Sequence, residues 1–290
     1  MLRWMYSTNA RDIGTLYLIK NKREISQSHP YHLVEPSPWP LTGSMVLFIL
    51  TLSSVAQWHG YETKKISIIG IILLLITMGL WWRDTIREST YQGNHTKKVQ
   101  RGIRIGFTLF VISEIFFFIS IFWAFFHSSL APSVELGSTW PPLGIQALDP
   151  WEIPLANTFV LLTSGASLTW CHQILIASHS FHFTYDKVAL PLFITIILAF
   201  IFTGFQAFEY YYAPFCFSDS VFGSCFFFAT GFHGLHIIIG TSFLIVCLFR
   251  LFSGHFSDSH HLGFESAIIY WHFVDVVWLF LFVFIYWWGF

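Results

Sequence analysis

Seven apolar stretches constrain this chain more than any other feature of its sequence. Each is about 20 residues or longer, which is the length that a helix needs to cross the hydrocarbon core of a bilayer. Charged residues make up only 11% of the 290 residues, less than half of the roughly 25% found in soluble domains. Since backbone groups in lipid must be satisfied within the chain, we predict an all-α integral membrane protein with seven transmembrane helices. The spans are expected near residues 40–58, 66–83, 105–130, 154–178, 188–213, 222–250 and 265–289.

The basic residues are unevenly distributed between the two ends of these spans. With seven spans, 13 of the 15 Lys and Arg residues fall on one side of the membrane, and only Lys64 and Lys65 fall on the other. Loops on the inner side of a membrane carry an excess of Lys and Arg. We therefore predict that the N-terminus lies on the inner side and the C-terminus on the outer side. The 13 residues are Arg3, Arg11, Lys20, Lys22, Arg23, Arg83, Arg87, Lys97, Lys98, Arg101, Arg104, Lys187 and Arg250.

Two function classes are disfavoured by composition. The net charge is −1 and no basic stripe or tail is present, which argues against a nucleic acid partner. The four cysteines lack CxxC spacing and are interpreted as small buried hydrophobes, with metal or disulfide use as the alternative. They are Cys171, Cys216, Cys225 and Cys247.

One carboxyl group lies near the middle of a predicted span. Glu114 is part of the segment SEIFFFISIFW (113–123), and no basic residue lies between Gly106 and the end of that segment. Because an ionised carboxylate loses several kcal/mol of hydration in an apolar medium, Glu114 must be neutral or compensated by an unseen partner. A proton relay is one function that such a group could serve.

Further polar side chains at membrane depth suggest contacts between helices. His233 and His236 lie three residues apart in GFHGLH, and His272 and Asp275 have the same spacing in WHFVDVVW, which places each pair on one helical face. Together with Glu209 they predict a hydrogen-bonded network between helices, and a metal site is the weaker alternative. A diheme membrane cytochrome carries two histidines about 13 or 14 residues apart on one span. No two of the 14 histidines have that separation, so a diheme protein is disfavoured.

Residues alone leave two function classes open. An accessory or structural membrane subunit is favoured, because the polar groups form no file across the membrane and no broken inverted repeat is visible. A stand-alone proton-translocating or metal-binding membrane protein is the alternative.

The second loop has its own pattern. WWRDTIREST (81–90) places two tryptophans beside Arg83 and Arg87, and His95, Lys97 and Lys98 follow. Arg and Lys can take phosphate while tryptophans lie at headgroup depth, so one interpretation is a phospholipid headgroup site. An ordinary helix end with ion pairs four residues apart explains the same residues equally well.

Six segments resemble cytochrome c oxidase subunit 3 of mitochondria, and the likeness runs from about Ser28 to Phe290. The segments are long and occur in the same order along the chain as in that family. They are YHLVEPSPWPLTGS (31–44), WWRDTIREST (81–90), ISEIFFF (112–118), FWAFFHSSLAP (122–132), ATGFHGLHIIIG (229–240) and YWHFVDVVWLFLF (270–282).

The resemblance implies a particular arrangement of the seven helices. Spans one and two would be splayed from spans three to seven around a cleft that holds phospholipid. We therefore expect an N-terminal extension at 1–30 and a transmembrane domain at 31–290. Within that domain, one bundle covers about 40–83 and another about 105–289.

The resemblance also implies a function. The chain would be an accessory core subunit of the haem–copper terminal oxidase, respiratory complex IV, and would lie beside the catalytic subunit 1 and other subunits. It would support electron transfer from cytochrome c to oxygen, hold phospholipid and assist proton uptake. It would bind no haem or copper, which belong to partner subunits. The protein would be multi-pass in the mitochondrial inner membrane, with its N-terminus in the matrix and its C-terminus in the intermembrane space.

Site residues follow from matching positions in the family. Glu114 matches a buried carboxyl that faces the cleft, where desolvation is expected to keep it protonated and able to donate a hydrogen bond. The positions expected near lipid headgroups are Trp82, Arg87, Glu88, His95 and Arg250.

Two segments depart from the family pattern. RWMYSTNARDIGTLYL (3–18) resembles the start of cytochrome c oxidase subunit 1, and the polar KNKREISQSHP follows where subunit 1 would continue into an apolar span. An inert matrix-side extension is the favoured interpretation, with a docking or presequence-like role as the alternative. The linker ILIASHSFHFTYDK also lacks the charge-rich composition of many relatives.

Overall fold

The computed structural model describes residues 29–177, 185–258 and 260–289. All regular elements in these ranges are helical, and seven helices are long and apolar enough to span a membrane, which confirms the predicted fold class of a multi-pass membrane protein. A 3₁₀ turn lies at Val134–Leu136, and a π-helical segment at Phe282–Trp287 continues the last helix. The helices are α1 (Trp39–Trp58), α2 (Lys64–Thr90), α3 (Lys97–Leu130), α4 (Ile153–Ala177), α5 (Tyr185–Tyr212), α6 (Val221–Phe252) and α7 (Leu262–Leu281).

Two of the helices extend well beyond the predicted spans. α2 continues to Thr90 and α3 begins at Lys97, whereas the apolar runs end at 83 and begin at 105. Hydropathy marks only the part of a helix that lies in hydrocarbon. Beyond that depth, water or headgroups solvate the charged side chains, so the helix continues through polar sequence.

The chain divides into two compact units, one ending at Ile103 and the other beginning at Arg104. In the first unit α1 packs against α2 as a hairpin. Trp39 Nε1 donates to Asp84 Oδ2 (2.7 Å) at one end of the pair, and Thr63 Oγ1 donates to the Ser53 carbonyl (2.7 Å) at the other. Within the described residues only 6% of the apolar window of α1 is buried.

The second unit contains the core of the protein. α4 packs on α5 and α7, and α6 packs on α5 and α7. Trp271 and Trp278 of α7 are fully buried, and their indole N–H groups donate to Ser164 Oγ and Thr158 Oγ1 of α4, each at 2.9 Å. These two indole rings thus pack in the centre of the unit with both of their N–H donors satisfied.

Some predictions concern residues outside the described ranges. These are the subunit-1-like segment at 3–18, five of the 13 basic residues, and part of the linker after α4. The splay of the first two spans from the other five stays a prediction.

Candidate functional site

Glu114 has a partner that the sequence did not reveal. Its Oε2 lies 3.0 Å from Nε2 of His236 on α6, and the Glu114 side chain is 24% exposed. The other ring nitrogen of His236, Nδ1, lies 2.7 Å from the Phe232 carbonyl of its own helix. A single imidazole therefore links the carboxyl of α3 to the backbone of α6.

Aromatic rings surround this pair. The imidazole of His236 lies 5.2 Å from the ring of Phe118, 6.1 Å from Tyr270 and 6.0 Å from Phe273, measured between ring centroids. Phe118, Tyr270 and Phe273 are buried. In such an apolar surrounding a hydrogen bond is electrostatically stronger than in water, and an unpaired partner is costly.

The geometry fixes how many protons the pair holds. A backbone carbonyl can only accept, so Nδ1 of His236 carries a hydrogen. The Nε2–Oε2 contact then needs a proton of its own, held either by Glu114 as a carboxylic acid or by His236 as an imidazolium. Both states avoid a bare carboxylate facing a ring nitrogen that can only accept. The sequence left open whether Glu114 is neutral or is compensated by a partner. The structure reduces this question to whether Glu114 or His236 holds the one shared proton.

His233 makes a separate contact one turn earlier on α6. Its Nε2 donates to the Val274 carbonyl of α7 at 3.2 Å, and its ring centroid lies 5.8 Å from that of Phe202 and 5.3 Å from that of Trp278. The side chain is 1% exposed. His233 therefore joins α6 to α7, whereas His236 joins α6 to α3.

His272 and Asp275 lie together on α7, as their spacing predicts. His272 Nδ1 is 3.5 Å from Asp275 Oδ2, and His272 Nε2 is 3.2 Å from Thr169 Oγ1 on α4. The carboxylate of Asp275 rests directly against Gly165 of α4, where a Cβ atom would overlap Oδ2. These contacts link α7 to α4 at Gly165, where the absence of a Cβ atom leaves room for the carboxylate.

Glu209 lies in a fourth polar contact, near the end of α5. Tyr286 of the π-helical segment donates its hydroxyl to Glu209 Oε1 at 2.5 Å, and Gln206 Nε2 donates to the same hydroxyl oxygen at 3.4 Å. All three residues are buried. The five predicted network residues thus occupy four contacts on different helix pairs, with His272 and Asp275 in the same one, and their functional roles stay predictions.

Three of the predicted headgroup residues meet in one cavity of the first unit. Arg87, Glu88 and His95 line a cavity of about 800 Å³ together with Lys98 of α3 and with Glu35 and other residues that precede α1. Glu88 lies 3.9 Å from His32 Nε2, and the His32 and His95 rings are 5.8 Å apart. The cavity therefore offers cations and carboxylates side by side, with apolar walls from Trp39 and Trp81.

The other two predicted headgroup residues lie elsewhere. Trp81 lines the cavity, whereas Trp82 is 59% exposed and does not. Arg250 belongs to the second unit, where its guanidinium lies over the ring of Phe256 at 4.6 Å and against Gly263. Burial and the nearby Arg250 lower the pKa of His255 in the adjoining loop.

The cysteines match their interpretation with one exception. Cys171 and Cys247 are buried, Cys225 is partly buried, and all four are free thiols. Cys216 is exposed, because it lies in the loop before α6, and its thiol donates to Asp219 Oδ1 at 2.7 Å. This bond and one from the Cys216 backbone N–H lower the pKa of Asp219.

Sequence reasoning missed one cluster in the second unit. His172 of α4, His261 just before α7, Glu265 of α7 and Arg104 of α3 form a connected set of polar contacts. Only the four-residue spacing of His261 and Glu265 is visible in the sequence. Across the described ranges no three His, Cys, Asp or Glu side chains are grouped as a metal site would require.

Comparisons with known proteins confirm the resemblance to cytochrome c oxidase subunit 3, whereas the likeness of residues 3–18 to subunit 1 stays a prediction. The family model described as cytochrome c oxidase subunit III matches residues 29–290. A protein named cytochrome c oxidase subunit 3 from Arabidopsis thaliana is 57% identical over 265 residues, which cover 91% of this chain and 98% of the relative. Proteins of the same name from Rhizopus stolonifer (58% identical, covering 91% and 92%) and Carassius auratus (57%, covering 91% and 98%) are equally similar.

Proposed function

The chain belongs to the cytochrome c oxidase subunit III family, and we propose that it is an accessory core subunit of the terminal oxidase of the respiratory chain. In this role it lies beside subunit 1 and other complex IV subunits in the mitochondrial inner membrane, with the N-terminus in the matrix. It supports electron transfer from cytochrome c to oxygen, while haem and copper are held by partners. The observation that carries the proposal is 57% identity over 98% of a relative of that name.

Purification through a tag on this chain tests the proposal. In mild detergent we expect the tagged chain to bring down a haem-bearing partner and cytochrome c oxidase activity. A chain that purifies without haem and without that activity would exclude the proposal.

We further propose that the cavity of the first unit holds a phospholipid headgroup. Arg87 and Lys98 would take the phosphate, while Glu35 and Glu88 would accept from an amine on the headgroup. Trp39 and Trp81 line the same cavity and suit the depth at which headgroups lie. Arg250 would act as a further cation toward lipid, at its own position in the other unit.

Substitution of the cavity cations is expected to remove bound lipid. We predict that Arg87→Gln and Lys98→Gln each lower the amount of phospholipid that co-purifies with the assembled complex, because a phosphate contact is worth about 1 kcal/mol per cation near a membrane surface. The measurement is lipid mass spectrometry of the purified complex. Lys97→Gln is the matched control, since Lys97 adjoins Lys98 but does not line the cavity; equal loss in this control would argue for general surface attraction.

Glu114 and His236 are proposed as the proton-holding pair of this subunit. The shared proton can move between Glu114 and His236 without leaving an unpaired charge in an apolar surrounding. This property supports a part in assisting proton uptake by the neighbouring catalytic subunit, or in donating a hydrogen bond to lipid.

The N-terminal segment is proposed to be an inert extension with a likeness to subunit 1. We predict that deleting residues 1–26 leaves the amount of assembled oxidase unchanged, because the family match begins only at residue 29. Blue native electrophoresis with in-gel oxidase activity provides the measurement. Loss of the assembled complex in the deletion strain would instead indicate a docking or targeting role.

A further inference from the structure

Three buried side chains of the second unit carry polar atoms that have no hydrogen-bond partner among the described residues. The atoms are Oδ1 and Nδ2 of Asn157 on α4, and Oε1 of Gln206 and Oε2 of Glu209 on α5. Asn157 is 0% exposed, Gln206 7% and Glu209 3%. Because buried polar groups in folded proteins are nearly always bonded, to protein or to ordered water, such atoms point to a ligand.

The packing of α4 against α5 places two of these side chains at the same level. The two helices run antiparallel, and Ser167 Oγ of α4 lies 2.6 Å from Thr195 Oγ1 of α5. Asn157 lies ten residues before Ser167, and Gln206 lies eleven residues after Thr195. Each step advances about 15–17 Å along its helix in the same direction. Asn157 and Gln206 are therefore level with each other, and Glu209 follows within one turn.

Helical phase also turns the two amides toward each other. Ser164 of α4 is fully buried, and its carbonyl oxygen lies 3.4 Å from Thr195 Oγ1 of α5. Seven residues make about two full turns of a helix and eleven make about three. Asn157 thus has nearly the direction of Ser164, and Gln206 has nearly the direction of Thr195. Both amides face the interface between α4 and α5.

The π-helical segment encloses the same region from a third side. Tyr286 donates its hydroxyl to Glu209 Oε1 at 2.5 Å and accepts from Gln206 Nε2 at 3.4 Å. Its ring lies 5.7 Å from that of Trp278, whose N–H donates to Thr158 of α4. The unbonded atoms therefore belong to a polar region enclosed by α4, α5 and this segment.

The chemistry of these atoms selects water as the ligand. The Asn157 amide has a donor and an acceptor, whereas the unbonded atoms of Gln206 and Glu209 are oxygens. No direct bond joins Asn157 to Gln206, although a donor and an acceptor face each other. A buried water both donates and accepts, and it typically makes about three hydrogen bonds to such groups. Water therefore fits these atoms also when the Gln206 amide is turned over or Glu209 holds a proton.

We propose that Asn157, Gln206 and Glu209 hold a buried water molecule that joins α4 to α5 beside Tyr286. The water completes the hydrogen bonds that the direct contacts of these side chains leave open. The site consists of residues of the second unit of this chain alone. Its failure would therefore leave the proposed role as an oxidase subunit unaffected.

Electron cryo-microscopy of the assembled complex, at a resolution that shows ordered water, tests the site. In the wild-type map we expect a density peak within about 3.2 Å of a side-chain atom of Asn157 and of Gln206 or Glu209. Asn157→Leu keeps the branched shape of the side chain without its polar atoms and should abolish the peak. Thr203→Val is the matched control, since Thr203 of α5 bonds the Ala199 carbonyl of its own helix, and it should retain the peak.

Three results would overturn the water site. The first needs no variant, and it is a wild-type map in which Asn157 shares no peak with Gln206 or Glu209, as when the side chains bond one another directly. The second is a peak whose contacts to oxygen measure about 2.3–2.6 Å, which are the distances of a bound cation. The third is a peak that keeps its wild-type height in Asn157→Leu.

Discussion

Gly165→Val is expected to prevent normal assembly of the second unit. A Cβ atom at Gly165 would overlap Oδ2 of Asp275 and lie 3.4 Å from Nδ1 of His272. Overpacking of a well-packed interior costs about 1–3 kcal/mol, and displacement of the buried Asp275 carboxylate adds the loss of its contact with His272. We expect a markedly lower level of this chain in the complex and a lower temperature of dissociation.

Gly204→Val provides a matched control for this prediction. Gly204 lies within α5, where a Cβ atom would meet nothing within 4 Å. Both substitutions place the same side chain in a helix interior. The difference in assembly between the two variants therefore measures the effect of packing against α7. Wild-type assembly in Gly165→Val would contradict the close contact of α4 with the Asp275 carboxylate.

Replacement of Glu114 is expected to have effects that depend on hydrogen bonding rather than on charge. Glu114→Gln should leave assembly near normal, because the amide N–H can donate to Nε2 of His236. Glu114→Leu should destabilise the unit by about 1–3 kcal/mol, the cost of a buried polar atom left without its partner. Retention of this chain in the complex during thermal challenge measures both effects.

The Glu114→Gln variant shows whether the shared proton lies on Glu114 or on His236. A strongly destabilised Glu114→Gln complex would indicate an ionised carboxylate paired with imidazolium His236, since breaking a buried ion pair leaves an uncompensated charge. Glu135→Gln is the control for loss of a carboxylate as such. Glu135 is exposed in the 3₁₀ turn, where its own backbone N–H and Ser133 lower its pKa.

The seven helices could be predicted from the sequence because each apolar run has its own length signal. The ends of α2 and α3 could not, because polar residues continue a helix once it leaves the hydrocarbon. The sequence likewise did not show which of the neighbouring residues Trp81 and Trp82 lines the cavity. Neighbouring positions differ by about 100° around a helix axis, and a helix end that is polar on all sides does not indicate which tryptophan faces the cavity.

The contacts of the polar side chains were only partly predictable. The spacing of His233 and His236 correctly places them on one face of α6, but residues three apart still differ by about 60° in direction. Because of this difference in direction, His236 contacts Glu114 on α3, whereas His233 contacts Val274 on α7. Glu114 and His236 are separated by 122 residues, so no local pattern links them. The pairing of His172 with His261 is hidden for the same reason.

Native mass spectrometry of the complex released from membranes in mild detergent tests whether this chain is an accessory oxidase subunit. We predict one copy of this chain bound to a haem-bearing partner, with phospholipid retained and no transition metal on this chain after its release. A chain that is isolated alone, or that carries a stoichiometric metal ion lost on substitution of His233, His236 or His272, would contradict it and favour a stand-alone metal-binding membrane protein.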